Sequence, residues 1–186
     1  GRSKVTVMPL LACSDGSDFQ FGILIQKKNI FVHADGTMPS GSELTQLIRA
    51  YPKQDIRASY GERQYGTFAA ALAPEAAEPE GLVRIPYRNL FVTGPAEYAA
   101  TAARAALLLD WLHGNRHCPS CGTPLQLSAA ETAQACPQCG RVLFPVIAPC
   151  IIVLVSKGDK VLLARHVQHT TNLYTCIAGF IEAGES

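Results

Sequence analysis

Two closely spaced pairs of cysteines constrain the fold of this 186-residue chain more than any other feature. The pairs Cys118–Cys121 and Cys136–Cys139 are separated by fourteen residues, and each is followed by a glycine, Gly122 or Gly140. Two thiolates three positions apart can reach one ion across a tight turn, in which glycine tolerates the positive φ. Two such turns supply the tetrahedral four-sulfur shell that zinc prefers. The predicted zinc ligands are Cys118, Cys121, Cys136 and Cys139.

Two disulfides or a redox-active pair are the alternative uses of these cysteines. A redox pair would need one motif that follows a strand in a thioredoxin-like unit, whereas this chain has two copies. The chain has seven cysteines, and close pairs in a chain that is not secreted are typical of metal or redox sites. Because all four ligands would come from protein, we expect a closed, structural zinc that stabilises a ribbon of ~25 residues with little core of its own.

Charge and hydropathy limit the classes of partner. The net charge is +1, so the chain has no global field that would recruit nucleic acid or membrane. No apolar run reaches the ~18 residues of a membrane span, and the first residues lack the apolar core of a secretory signal. We therefore expect a cytoplasmic protein without a membrane partner.

Zinc ribbons often bind nucleic acid, but the charges of this one do not favour it. The segment Thr101–Cys150 contains three arginines, no lysine and the acids Asp110 and Glu131. This composition is not a basic footprint. The ribbon is therefore predicted to organise its neighbours in the fold.

The sequence before the ribbon predicts a β-rich domain over residues 1–92 and a connecting helix within 93–116. Ser40 and Glu43 form a capping-box pattern that begins a shorter helix near Ser42–Tyr51. The longer helix is expected from Pro95 to His113, with Gly114 as a left-handed stop. Runs of β-branched and aromatic residues predict the strands, and the short Lys27–Lys28 break between the second and third of them suggests a meander. These strands are Val5–Leu11, Phe19–Gln26, Asn29–His33, Ile56–Tyr60, Thr67–Leu72 and Leu82–Ile85.

After the ribbon, which spans 117–145, residues 146–186 again have the pattern of strands. Ile151–Ser156 is followed by a hairpin turn and by Val161–Ala164, and Tyr174–Ala178 is a third apolar run. Three strands cannot close a core alone. The overall expectation is an α+β chain of several pieces.

Three segments around and after the ribbon carry a resemblance to a known family. They are Ile147–Val153 (IAPCIIV), Val161–His166 (VLLARH) and Ala178–Glu185 (AGFIEAGE). Together with the four-cysteine ribbon, they resemble the NADH pyrophosphatase family of Nudix hydrolases. The resemblance is close from about residue 105 onward and only general before that. It implies a β-rich N-terminal domain, a connecting helix, the zinc ribbon and, from residue 146, the first part of a Nudix α/β/α sandwich.

The resemblance implies an activity for the intact protein. Members of the family hydrolyse the pyrophosphate of NADH or NAD⁺ to nicotinamide mononucleotide and AMP, and they can remove NAD caps from RNA. They use Mg²⁺ or Mn²⁺ for catalysis and are usually homodimers. In the family, the Nudix box continues beyond the position of Glu185 with glutamates on a helix that hold these ions. Because those glutamates would lie beyond Ser186, we expect no catalytic residue within this chain and no activity of the chain alone.

The resemblance also implies roles for the start of the Nudix box. The carbonyl of Gly179 would face a metal ion, Glu182 would shape the loop, and Glu185 would pair with an arginine further along the box. Phe180 resembles the aromatic residue that stacks on the base or nicotinamide ring. By themselves, the two glutamates would more often be solvated loop carboxylates, and Phe180 would more often be a core residue.

Two ribbon residues align with family positions near the same ring. They are Glu131 and Phe144, and the simplest alternative for Glu131 is a solvated side chain between the two cysteine turns. Phe144 departs from the family pattern, in which tyrosine is familiar, and has no hydroxyl for a hydrogen bond from this position.

Two other classes of function remain open from the sequence. The first is a non-catalytic binding or regulatory module that kept the ribbon and lost the Nudix chemistry. The second is a zinc-ribbon nucleic-acid binder, against which the near-neutral ribbon argues.

Overall fold

The computed structural model describes residues 9–165, 167–168 and 172–185, so most of the first predicted strand lies outside the described residues. Ser186, beyond which the sequence analysis expects the catalytic glutamates, also lies outside them. Residues 1–145 form one compact unit, unit 1, and residues 146–186 form a second, unit 2. The α+β class predicted from the sequence is confirmed. Within the described residues, none of the helices combines the length and apolarity needed to cross a lipid bilayer.

Unit 1 is built on a five-stranded mixed sheet. In chain order its elements are β1 (Phe21–Gln26), β2 (Asn29–Val32), α1 (Gly41–Arg49), β3 (Ile56–Glu62), β4 (Thr67–Leu72), β5 (Val83–Pro86), α2 (Leu90–Thr93) and α3 (Ala96–Gly114). The strand order is β3-β4-β1-β2-β5. The five strands predicted within the described residues are present. The antiparallel pairing suggested at the Lys27–Lys28 break joins β1 to β2, and β1 pairs in parallel with β4 on its other side. A parallel pair requires a crossover, and the chain between β1 and β4 supplies it with β2, α1 and β3.

Both faces of this sheet are buried, each by a different helix. In β1, Ile23 and Ile25 belong to the cluster that includes α3, whereas Leu24 belongs to the cluster that includes α1. The same alternation continues in β4, where Ala69 faces the α3 side and Phe68 the α1 side. A sheet covered on both faces needs apolar residues at consecutive positions, which explains why its strands are apolar runs.

The capping box at the start of α1 is confirmed. The backbone N–H of Glu43 donates to the Ser40 hydroxyl at 3.2 Å, and the Ser40 N–H donates to the Glu43 carboxylate at 2.7 Å. Leu44 and Ile48 then pack on the sheet. The helix ends at Arg49, three residues before Pro52.

The long helix α3 is confirmed, but the predicted left-handed stop at Gly114 is wrong. Gly114 is the last helical residue, and Asn115 is the C-cap, with φ −119°. The Asn115 backbone N–H and its side-chain amide both donate to the Trp111 carbonyl, at 3.0 and 2.8 Å. The asparagine amide therefore adds a second hydrogen bond to a carbonyl that the backbone already pairs, and the helix ends without a left-handed residue.

Unit 2 consists of two separate two-stranded sheets in the described residues. Three short strands of unit 1, β6 (Gln126–Leu127), β7 (Gln134–Ala135) and β8 (Val142–Leu143), precede it in the chain. The elements of unit 2 are β9 (Cys150–Val153), β10 (Val155–Lys157), β11 (Lys160–Leu162) and β12 (Ile177–Phe180). The predicted hairpin is β10–β11, with Gly158 at φ 61° in its turn. The third strand is shifted from the predicted Tyr174–Ala178, because β12 pairs with β9 from Ile177 opposite Val153 to Phe180 opposite Cys150.

A buried ion pair links α3 to the sheet, and the sequence analysis did not anticipate it. The side chain of Glu62 is 1% exposed, and Arg104 contacts it with two nitrogens, Nε at 2.9 Å and Nη2 at 2.5 Å. This hydrogen bonding raises the pKa of the Arg104 guanidinium above its usual value. The Arg104 side chain is 36% exposed, so only the carboxylate depends fully on its partner.

Because Glu62 is buried and Arg104 is partly exposed, replacing one partner should destabilise the protein more than replacing the other. Arg104→Met should lower the free energy of unfolding by about 3 kcal/mol, because it leaves the Glu62 carboxylate buried without a partner. Glu62→Gln should cause a smaller loss of unfolding free energy, since water can reach the remaining guanidinium. Urea unfolding monitored by the single tryptophan, Trp111, measures both effects.

A matched control for this prediction is Arg49→Met. Arg49 pairs with Asp15 at 2.8 Å on the surface, and its loss should cost about 1 kcal/mol or less. Equal destabilisation by Arg104→Met and Arg49→Met would contradict the assignment of a buried pair.

Candidate metal centre

The four predicted zinc ligands lie together in unit 1. The Sγ atoms of Cys118, Cys121, Cys136 and Cys139 are all within 4.8 Å of one another. Two of the separations are 3.5 Å, between Cys118 and Cys139, and 3.4 Å, between Cys121 and Cys136. Four sulfurs at ~2.3 Å from a tetrahedral zinc ion would be about 3.8 Å apart, so the donor set fits the metal.

The first cysteine turn is held by backbone hydrogen bonds. The Gly122 N–H donates to the Cys118 carbonyl at 2.8 Å, and the Cys118 N–H donates to the Thr123 carbonyl at 2.8 Å. Gly122 has φ 74°, in the left-handed region that favours glycine. The second turn repeats this pattern, with Gly140 at φ 72°.

Hydrogen bonds shift the pKa values of two thiols of the centre in opposite directions. The hydroxyl and backbone N–H of Thr123 lower the pKa of the Cys121 thiol to about 6. The backbone N–H of Arg141 favours the thiolate of Cys139, but hydrogen bonds with neighbouring thiols outweigh it and raise the Cys139 pKa to about 12. Crowded thiolates repel one another, so the last proton is held tightly until a cation offsets the charge.

A three-stranded sheet forms the rest of the ribbon. Its strands are β6 (Gln126–Leu127), β7 (Gln134–Ala135) and β8 (Val142–Leu143), with β7 in the middle. The Arg141 guanidinium donates to the Ser120 hydroxyl at 2.7 Å and so joins one cysteine turn to the other. The sequence analysis missed this contact and that of Thr123, because neither follows from the ligand spacing.

The ribbon is attached to the sheet of unit 1 at the end of α3. Arg116 donates from Nη2 to the Arg57 carbonyl of β3 at 3.0 Å. Leu127 of the ribbon packs against the core cluster that contains α3. The metal centre is therefore held against the β-rich domain.

This centre has the chemistry of a structural zinc site. Its four protein thiols fill the coordination shell, which leaves no position for water or substrate. Among the residues that the structure describes, no other group of three or more His, Cys, Asp or Glu side chains converges on one point. Glu182 and Glu185 are therefore not part of such a group within the described residues.

The start of the predicted Nudix box forms a strand and a turn in unit 2. Gly179 lies within β12 opposite Ile151, and the strand ends at Phe180, two residues beyond the predicted run. The Glu182 N–H donates to the Glu185 carboxylate at 2.9 Å, and the Glu185 N–H donates to the Glu182 carbonyl at 3.2 Å. This pair of hydrogen bonds closes a compact turn directly after the strand.

The three remaining predicted substrate-binding residues are all exposed within their own units. Phe180 in β12 is 71% exposed, and Phe144 directly after β8 is 53% exposed. Glu131 is exposed between the two cysteine turns, where its carbonyl accepts the N–H of Ala133 at 2.8 Å. Glu131 and Phe144 belong to unit 1 and Phe180 to unit 2, so neither unit brings all three together.

Comparisons with known proteins agree with this geometry. Residues 114–144 match the family model described as the NADH pyrophosphatase zinc ribbon domain. The predicted zinc ribbon is thereby confirmed.

Relatives named NAD-capped RNA hydrolase NudC share longer stretches. The Chromobacterium violaceum protein is 40% identical over 102 residues, which are 55% of this chain and 38% of that protein. The Pseudomonas aeruginosa protein is 38% identical over 112 residues, 60% of this chain and 40% of that protein. The Deinococcus radiodurans protein is 31% identical over 168 residues, 88% of this chain and 56% of that protein. In each case the match spans less than two thirds of the relative's length.

Removal of one cysteine from the centre should abolish zinc binding. Cys139→Ser leaves three thiols and should reduce the metal content from about one zinc per chain to well below half, with a lower melting temperature. Metal analysis of protein purified without chelator measures this. The control is Cys150→Ser, which changes an exposed cysteine outside the centre and should keep the zinc. Wild-type protein with four free thiols and no zinc would contradict the metal assignment.

Proposed function

The chain belongs to the NADH pyrophosphatase family of Nudix hydrolases, and we propose that the intact protein hydrolyses the pyrophosphate bond of NADH or NAD⁺. The products would be nicotinamide mononucleotide and AMP. We propose that it also removes NAD caps from RNA, the activity for which the NudC relatives are named.

One observation carries this proposal. A four-thiol ribbon is followed, within one chain, by β9 and β12 and by the turn of Glu182 and Glu185. A zinc ribbon alone is compatible with many functions. A ribbon that leads into the strand and turn of a Nudix box favours a pyrophosphatase.

The residues of the turn have proposed roles in the intact enzyme. The Gly179 carbonyl would face a catalytic ion, Glu182 would shape the loop, and Glu185 would pair with an arginine further along the box. Mg²⁺ or Mn²⁺, held by glutamates beyond Ser186, would polarise the pyrophosphate. Phe180 would stack on the base or nicotinamide ring. The ribbon residues Glu131 and Phe144 would lie near the same ring.

Zinc has a different proposed role from the catalytic ions. The closed four-thiol shell holds the ribbon against the end of α3 and takes no part in the chemistry. We further propose, from the family, that the protein is a homodimer and acts in the cytoplasm. Light scattering of the intact protein tests the oligomeric state.

The proposed activity gives a direct test. The intact protein with Mg²⁺ should convert NADH to reduced nicotinamide mononucleotide and AMP, whereas the 186-residue chain should give no turnover if the catalytic glutamates lie, as proposed, beyond Ser186. Chromatography of the products measures both. An inactive intact protein that is folded and loaded with zinc would favour a non-catalytic module. Turnover by the 186-residue chain, with contaminants excluded, would contradict the proposed location of the catalytic groups.

The stacking role of Phe180 is tested in the intact protein. Phe180→Ala should raise the KM for NADH about tenfold with a smaller change in kcat, because stacking binds substrate and transition state alike. Its exposure means that stability should change little. Phe180→Tyr is the matched control and should keep a KM near that of the wild type. An unchanged KM in Phe180→Ala would rule out stacking.

A further inference from the structure

Basic side chains from distant parts of the sequence collect at one end of the sheet in unit 1. At this end β1 turns into β2, β3 begins, and β4 and β5 finish. The end of α3 lies here too, since Arg116 contacts the Arg57 carbonyl. We call the six cations of this end the basic rim. They are Lys27, Lys28, Lys53, Arg57, Arg88 and Arg116.

The members of the basic rim have no acidic partner, whereas three of the five other described cations of unit 1 have one. Arg49, Arg84 and Arg104 each form an ion pair with a carboxylate. Within the described ranges of the chain, no ion pair involves a member of the basic rim. Asp55 and Glu78 both lie near Tyr51 at this end, and Glu78 is paired with Arg84. With Glu75 and Asp110, which follow β4 and lie in the last turns of α3, the acids of this end are still fewer than its six cations.

The basic rim extends across the whole sheet. Arg57 lies on the edge strand β3, the two lysines join the central pair β1 and β2, and Arg88 follows the other edge strand, β5. Strands lie ~4.8 Å apart, so the five strands span about 19 Å. The backbone also links the parts, because the Tyr87 N–H donates to the Lys28 carbonyl at 3.2 Å.

An exposed aromatic ring stands next to the basic rim. Phe91 is in α2, three residues after Arg88, and is 59% exposed, whereas its neighbour Leu90 is buried in the core. Proteins that bind single-stranded nucleic acid combine a line of cations, which contact the phosphates, with exposed aromatic rings, on which bases stack. The basic rim and Phe91 together offer this combination.

We propose that the basic rim binds the single-stranded RNA body of a capped transcript, with a base stacked on Phe91. This inference rests on the proposed function, because it names RNA rather than free dinucleotide as the substrate that this surface serves. The surface lies on the β-rich sheet and not on the ribbon. The net charge of +1 conceals it, because acids elsewhere in the chain offset the excess.

The backbone at Lys27 permits a test that does not weaken the fold. Lys27 has φ 56°, the single positive φ among the described non-glycine residues. This conformation is unfavourable for lysine and much better tolerated by asparagine, especially in a two-residue hairpin turn. Lys27→Asn therefore removes a charge while keeping or raising the melting temperature.

The experiment measures the anisotropy of a labelled, uncapped 20-nucleotide single-stranded RNA titrated with the 186-residue chain. The double variant Lys27→Asn/Arg88→Gln should weaken binding about tenfold and lower the salt slope by about 1.4, at ~0.7 per lost phosphate contact. The matched control is Arg49→Gln/Arg63→Gln, which removes two charges elsewhere in unit 1, including Arg63 beyond the opposite end of β3. This control should stay within about twofold of wild type.

Further arms identify the ligand. Phe91→Leu should weaken RNA binding but leave binding of inorganic polyphosphate unchanged, because polyphosphate has no base to stack. The proposal is overturned by equal loss in the rim and control variants, by no RNA binding of the wild type, or by tighter binding to phosphatidylserine vesicles than to RNA.

The intact protein separates this inference from the proposed function. The rim variant should hydrolyse free NADH at the wild-type rate and lose kcat/KM only on NAD-capped RNA. Failure of the wild type to hydrolyse NADH would overturn the proposed function, while RNA binding would still be measured independently. Equal kcat/KM of wild type and rim variant on capped RNA would overturn the role of the basic rim.

Discussion

The packing of α3 across one face of the five-stranded sheet fixes the position of everything that follows it in unit 1. Small residues such as Ala102 and Ala105 are fully buried and let the helix approach the strands closely. In the middle of the helix Arg104 reaches the buried Glu62, and beyond its C-terminal end Arg116 reaches the start of β3. The chain then enters the first cysteine turn at Cys118, so the register of α3 on the sheet sets where the metal centre begins.

The metal centre stabilises the ribbon, which lies beyond the apolar core of unit 1. The ribbon strands are two residues long, and few ribbon side chains are buried besides Cys118, Cys136 and Ala133. Such a short sheet cannot bury enough apolar surface to offset the entropy of ordering its chain. Four thiolates around zinc replace that missing core, and their closed shell excludes a role in hydrolysis.

Features that depend on neighbouring residues could be predicted from the sequence, and those that depend on distant pairing could not. The capping box of Ser40 and Glu43 and the four-cysteine site follow from spacing alone. The parallel pairing of β1 with β4 brings together segments about 46 positions apart, as Phe21 opposite Thr67 shows, and no local pattern specifies it. The end of α3 was predicted incorrectly for another reason, because the C-cap Asn115 has φ −119° and its amide bonds to the Trp111 carbonyl, so no left-handed glycine is used.

The distribution of charge also could not be predicted from neighbouring residues, because it depends on which strands pair. Counted along the ribbon, the cations are too few for a nucleic-acid surface, and counted over the whole chain they are balanced. Only the strand order reveals that Lys28, Arg57 and Arg88 share one end of a sheet while other arginines are occupied by carboxylates. Because unpaired surface charges act over roughly 8 Å at physiological salt, their arrangement matters more to an anionic strand than the net charge does. A near-neutral chain can therefore carry a local surface for RNA, and the ribbon need not supply it.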